Sequence, residues 1–113
     1  NVSNFISTEE NLAYADFLLR RLNQPHFGFI IDTSRNGNGQ TDTAAWCNPP
    51  GRALGATPTL APESEADAYL WIKRPGESDG TCNGGPRAGR WWLEGAIALV
   101  IGYIENLTAG LGG

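Results

Sequence analysis

A lysine and two acids stand at short spacing in Lys73-Arg74-Pro75-Gly76-Glu77-Ser78-Asp79. They follow an apolar, aromatic run, Ala68-Tyr69-Leu70-Trp71-Ile72, which reads as a buried strand. A buried strand that hands charged residues to the loop at its end is how α/β enzymes build active sites. A turn with solvated charges is the plainer reading of the same cluster. A second unit has the same form. Phe27-Gly28-Phe29-Ile30-Ile31 is another apolar run, and it breaks into Asp32-Thr33-Ser34-Arg35-Asn36-Gly37-Asn38-Gly39. Two strands feeding polar loops point to one shared face.

The elements that must position these loops alternate along the chain. Ser7 or Thr8 can cap a helix, with Glu10 three residues after Ser7 in capping-box spacing. Leu12, Tyr14, Ala15, Leu18, Leu19 and Leu22 give a helical stripe to about Asn23, and Gln24-Pro25 ends it. The Phe27–Ile31 strand follows, and residues 1–5 read as the end of an earlier strand and its loop. Residues 32–65 are rich in Gly, Pro, Thr and Asn and show no period, as expected of a functional or mobile loop. Residues 63–67 read as a short helix before the second strand. A last helix is expected over 87–107, with Trp91 and Trp92 on it as packing residues. Residues 108–113 are expected to be a frayed tail. The order of strands and helices predicts an α/β fold with parallel β/α units.

Composition narrows the function. The 113 residues suffice for one small domain but not for a complete (β/α)₈ barrel, which takes ~250 residues. Eight basic against twelve acidic residues, net −4, argue against a nucleic-acid partner. Arg20-Arg21 reads as a solvated helix face. No apolar run approaches the ~20 residues of a membrane span. Two cysteines and one histidine, His26, cannot by themselves complete a four-ligand zinc site, so no metal and no cofactor is expected. His26 precedes a strand at the end opposite the polar loops, which argues against a Ser-His-Asp triad with Ser34. Asn1-Val2-Ser3 and Asn106-Leu107-Thr108 match the glycosylation pattern.

Five segments in order carry a resemblance: Asn1–Phe5, Asp32–Gly37, Trp46-Cys47-Asn48, Trp71–Gly80 and Pro86–Trp92. Together they resemble glycoside hydrolase family 6, the cellulases that cut β-1,4-glucan with inversion. The likeness covers almost the whole chain and matches the family's C-terminal part. It implies the C-terminal portion of a distorted, TIM-like parallel β/α barrel, with residues 1–113 a fragment of one catalytic domain. It also implies a disulfide between Cys47 and Cys82. Free buried thiols are the alternative from the residues alone. The bridge would close a loop of ~35 residues and imply a secreted, extracellular setting.

Glycoside hydrolysis uses two carboxyl groups flanking the scissile bond. The resemblance implies that the general acid lies in an earlier segment, so no residue here is assigned to it. Asp79 matches the second catalytic aspartate, with Arg35 and Lys73 as its cationic partners. Two nearby cations depress a carboxylate's pKa, which leaves base action through water or electrostatic stabilisation open. Lys73, Glu77 and Asn4 match residues that hydrogen-bond sugar hydroxyls. Trp46 matches a tryptophan that stacks on a glucosyl ring. As ordinary residues these would be solvated charges, a turn asparagine and a core aromatic, though the polar loop around Trp46 disfavours core. Asp32 is expected to be structural.

The leading reading is an endo-β-1,4-glucanase, monomeric when complete, whose partner is cellulose or a cello-oligosaccharide. Only eight residues, Gly80–Arg87, separate Asp79 from the start of the last helical segment, which favours an open cleft. A processive cellobiohydrolase is the alternative, and a glucan-binding protein without catalysis is a third. The isolated chain is expected to be inactive.

Overall fold

The computed structural model describes residues 4–23, 26–40 and 45–112. Helix α1 spans Thr8–Leu22. Its start is set by Ser7, whose Oγ accepts from the Glu10 N–H at 3.1 Å. Its end is set by Asn23 in the left-handed region (φ 51°), a conformation asparagine tolerates better than most residues. The expected stop at Gln24-Pro25 lies outside the described residues. The apolar stripe forms as a helix, yet it buries none of its residues; Tyr14, Phe17 and Leu22 are all more than half exposed.

Strand β1 is Ile30–Asp32, β2 is Thr59–Leu60 and β3 is Ala68–Leu70. The sheet order is β1-β3-β2. The β1–β3 pair is parallel, with Ile30 opposite Ala68 and Asp32 opposite Leu70. The β2–β3 pair is antiparallel. Both expected strands exist, in parallel, but each is shorter than its apolar run. Phe27 lies outside β1 and is exposed, and Ile72 lies beyond β3 and is exposed. The loop expected over 32–65 contains β2, which two residues, Thr59 and Leu60, were too few to announce by period. The helix expected over 63–67 is instead a bend, in which Ser64 Oγ accepts from Tyr69 Oη (2.7 Å) and from the Ala66 N–H (3.3 Å).

Helix α2 spans Leu93–Gly112. It begins six residues later than expected, because 87–92 spend their backbone groups on the acidic loop. The Gly89 N–H donates to Ser78 O, the Ser78 N–H to Arg90 O and the Trp92 N–H to Gly76 O, each at 2.9 Å. Trp91 and Trp92 therefore precede the helix instead of riding on it. The helix also continues through Thr108–Gly112, where a frayed tail was expected. Of residues 1–5, where a strand end and its loop were expected, Asn4 and Phe5 lie in a turn and 1–3 lie outside the described residues.

The buried set is unusual in being more polar than apolar. Phe5, Ile31, Ala53, Ala66, Ala68 and Leu99 form the apolar core. Asn4, Thr33, Ser34, Arg35, Asn36, Asn48, Arg52 and Ser78 are buried with them. Buried polar groups must find partners or cost free energy, so these residues mark where the chain invests in geometry. They gather at the C-terminal ends of β1 and β3.

Candidate active site

Asp32, the last residue of β1, joins the two loops. Its Oδ1 accepts from the Ser34 N–H at 2.9 Å and its Oδ2 from the Lys73 N–H at 3.0 Å. Because β1 and β3 are parallel and adjacent, their C-terminal loops leave on the same side, and Asp32 fixes their separation. Its role is structural, as the sequence suggested.

Arg35 leaves the first loop with its side chain 5% exposed. Its guanidinium lies over the Phe5 ring, 4.2 Å from the centroid. Nε donates to Asn4 Oδ1 at 2.8 Å. The other two nitrogens grip Asp79 in a fork, Nη1 to Oδ2 at 2.7 Å and Nη2 to Oδ1 at 3.1 Å. Lys73 Nζ stands 3.3 Å from Asp79 Oδ1. The structure therefore brings Asp79, Arg35 and Lys73 together at the ends of adjacent parallel strands.

Asp79 is 7% exposed at its side chain. Burial alone would push its carboxyl up. The Arg35 hydrogen bonds, the Asn48 backbone N–H and the charges of Arg35 and Lys73 outweigh burial and hold it below the usual aspartate value. It is an ionised group at neutral pH and a weak proton acceptor.

Asn4 departs from its expected part. It has no exposed surface, and its Oδ1 is engaged by Arg35, so it holds the cation and is not open to a sugar hydroxyl in this structure. Lys73 and Glu77 both line a cleft of about 480 Å³, together with Asp32, Ile72 and Arg74. Glu77 Oε1 accepts from Arg74 Nη1 at 2.9 Å. Trp46 is half exposed on the loop before Cys47, in keeping with a surface platform, but it does not line that cleft.

Sequence reasoning missed Asn48 and Ser78. Asn48 is buried, and its backbone N–H donates to Asp79 Oδ2 at 2.9 Å while its Oδ1 accepts from the Asp79 N–H at 2.9 Å. Its Nδ2 donates to Gly80 O (2.9 Å), Cys82 O and Ser78 Oγ (both 3.1 Å). Ser78 Oγ in turn donates to Pro86 O at 2.8 Å. One asparagine thereby sets the shape of the acidic loop. A Cβ on Gly85 would fall 2.3 Å from Asn48 Nδ2, so that close approach requires glycine. The available signal was an asparagine directly after a cysteine, a type that accepts the left-handed φ of 47° seen here.

Cys47 and Cys82 are joined in a disulfide, which fastens the Trp46 loop to the acidic loop. Among the described residues no group of three or more His, Cys, Asp or Glu could hold a metal ion. No helix among them is long and apolar enough to cross a membrane.

The family model for glycosyl hydrolases family 6 matches residues 1–102. The chain belongs to glycoside hydrolase family 6. Endoglucanase A of Cellulomonas fimi is 51% identical over 88% of this chain and 21% of its own length. The 1,4-beta-D-glucan cellobiohydrolase C of Emericella nidulans is 49% identical over 47% of this chain and 12% of its own. Among solved structures, the endoglucanase Cel6 from Mycobacterium tuberculosis in complex with methyl-cellobiosyl-4-deoxy-4-thio-β-D-cellobioside is 52% identical. It has a TM-score of 0.79 over 91% of this chain and 36% of that one. The chain thus spans about a fifth of the curated endoglucanase and a third of the solved one.

Proposed function

We propose that this chain is the C-terminal part of the barrel-shaped catalytic domain of a secreted, inverting endo-β-1,4-glucanase. The observation that carries the reading is the Asp79 carboxylate, buried between Arg35 and Lys73 at the C-terminal ends of two parallel strands in a member of family 6. Asp79, ionised at neutral pH, acts through its negative charge, which stabilises positive charge at the anomeric carbon. The general acid is assigned to no residue of this chain. Lys73 and Glu77 supply a donor and an acceptor to sugar hydroxyls across the cleft, and Trp46 stacks on a glucosyl ring. Asn4 serves by holding Arg35 in place.

Endo action is favoured by the eight-residue Gly80–Arg87 segment, drawn tight by Asn48 and the disulfide, which offers no long roof over the cleft. The endoglucanase relative also matches more of the chain than the cellobiohydrolase does.

The test is turnover by the full-length enzyme. Viscosity of a carboxymethylcellulose solution should fall well before much reducing sugar appears, and proton NMR should show the α-anomer of the product first. A first product of the β-anomer removes the inverting mechanism. Cellobiose released with little viscosity loss turns the assignment to a processive enzyme. Tight glucan binding with no turnover leaves only a binding protein.

A further inference from the structure

Outside the residues given a part in the site, the most conspicuous side chain is Trp91. It is 66% exposed although it lies in a tightly fixed segment. Glu77 and Trp91 form an antiparallel bridge, flanked by the Ser78 N–H to Arg90 O and Trp92 N–H to Gly76 O hydrogen bonds. A pair flanked in this way, and not itself hydrogen-bonded, is the kind that brings its two side chains closest, on one face of the ribbon. The bridge thereby makes Trp91 the ladder neighbour of Glu77, whose side chain lines the cleft with Lys73, while Trp91 stands outside that lining.

The ring also has a fixed back. A Cβ built on Gly76 would fall 1.8 Å from Trp91 Cζ3 and 2.6 Å from Cε3. The six-membered ring therefore lies directly against the Gly76 backbone, where only glycine leaves room. With one face backed by Gly76, the exposed area belongs to the rest of the ring. An aromatic plate beside a carboxylate is the chemistry that recognises a pyranose. The flat C–H face of the sugar covers the indole while a ring hydroxyl donates to the carboxylate.

We propose that Trp91 is a second stacking platform, which takes a glucosyl unit of the bound glucan next to the one held by Lys73 and Glu77. The inference rests on the reading of that cleft as a glucan site. Gly76 is then a positioning residue, its missing side chain being the seat of the ring. The platform lengthens the site, so its effect grows with chain length.

Two measurements on the full-length enzyme test it. The first is oxidation of the wild-type protein by N-bromosuccinimide, followed by mass spectrometry of the peptide that contains Trp91. Trp91 should be oxidised in free enzyme and protected by cellohexaose. Lack of reaction without sugar means that the ring is covered by another part of the protein, and lack of protection means that no sugar reaches it; either result overturns the proposal. The second is the affinity of cellobiose and cellohexaose for Trp91→Ala, Trp91→Phe and Trp46→Ala. Trp91→Ala should weaken cellohexaose about tenfold more than cellobiose, and Trp91→Phe should restore most of the loss. Equal loss for both sugars, or none, overturns the platform if Trp46→Ala still weakens binding. If Trp46→Ala, Lys73→Ala and Glu77→Ala also leave both affinities unchanged, the reading of the cleft fails with it.

Discussion

Replacing Asp79 by Asn separates the charge of this residue from its shape. Arg35 and Lys73 have side chains only 5% and 13% exposed, so neither can recover full hydration once its anion is gone. Removing one partner from a buried ion pair costs about 3–5 kcal/mol. The low end applies here. Arg35 keeps Asn4 and the Phe5 ring, and Lys73 borders the open cleft. A loss of about 3 kcal/mol at pH 7 is the expected result from urea unfolding of the full-length protein. The pH dependence follows from the lowered pKa. A carboxylate whose folded value lies below its unfolded value adds stability that is fully present above the unfolded value, near 3.8, and is lost as pH falls through the lower folded one. The gap between wild type and Asp79→Asn should thus be the same at pH 7 and pH 5 and close only below about 3.8. Turnover of carboxymethylcellulose should drop by about 100-fold or more, the scale of losing a preorganised charge at a reacting centre. A gap under about 1 kcal/mol at pH 7, or one already closing at pH 5, would refute the electrostatic reasoning. Undiminished turnover would remove Asp79 from the chemistry.

Other outcomes follow from the same geometry. Asn48→Ala leaves the Asp79 N–H without its partner and takes one of their hydrogen bonds from Ser78 Oγ, Gly80 O and Cys82 O, so stability should fall by about 2–3 kcal/mol with turnover reduced alongside; a change under about 0.5 kcal/mol would show that the loop holds its shape without it. No free thiol should titrate in the unreduced, denatured protein, and Cys82→Ser should cost about 3–4 kcal/mol, as a bridge across 35 residues implies. Two titrating thiols would contradict the bridge. Trp46→Ala should lower cello-oligosaccharide affinity by about 1 kcal/mol, roughly fivefold, through lost ring stacking, with less effect on turnover at saturation. Isothermal titration with unchanged affinity would place the glucan elsewhere.

Much of the site was legible because its chemistry is local in sequence. Asp32, Arg35, Lys73, Glu77 and Asp79 each follow an apolar run, and the alternation of strands and helices along the chain implied parallel pairing, although the helix expected between β1 and β3 at 63–67 is a bend. Resemblance to the family then gave the cysteine bridge. The start and cap of α1 were legible for the same reason, since Ser7 and Glu10 are neighbours on one turn. What depends on distant groups was not. The late start of α2 reflects hydrogen bonds from 87–92 to residues 76–78, which no helical period records. The two-residue β2 exists only because β3 offers it an edge. Asn48 reads as an ordinary loop asparagine until the fold sets it against Ser78, Asp79, Gly80 and Cys82. Asn4 matched a sugar ligand by type and order, but burial gave it to Arg35. The residue types determined which charges could meet. Only the tertiary structure decided which of them were buried, and burial makes an aspartate between two cations an ionised group with a fixed orientation.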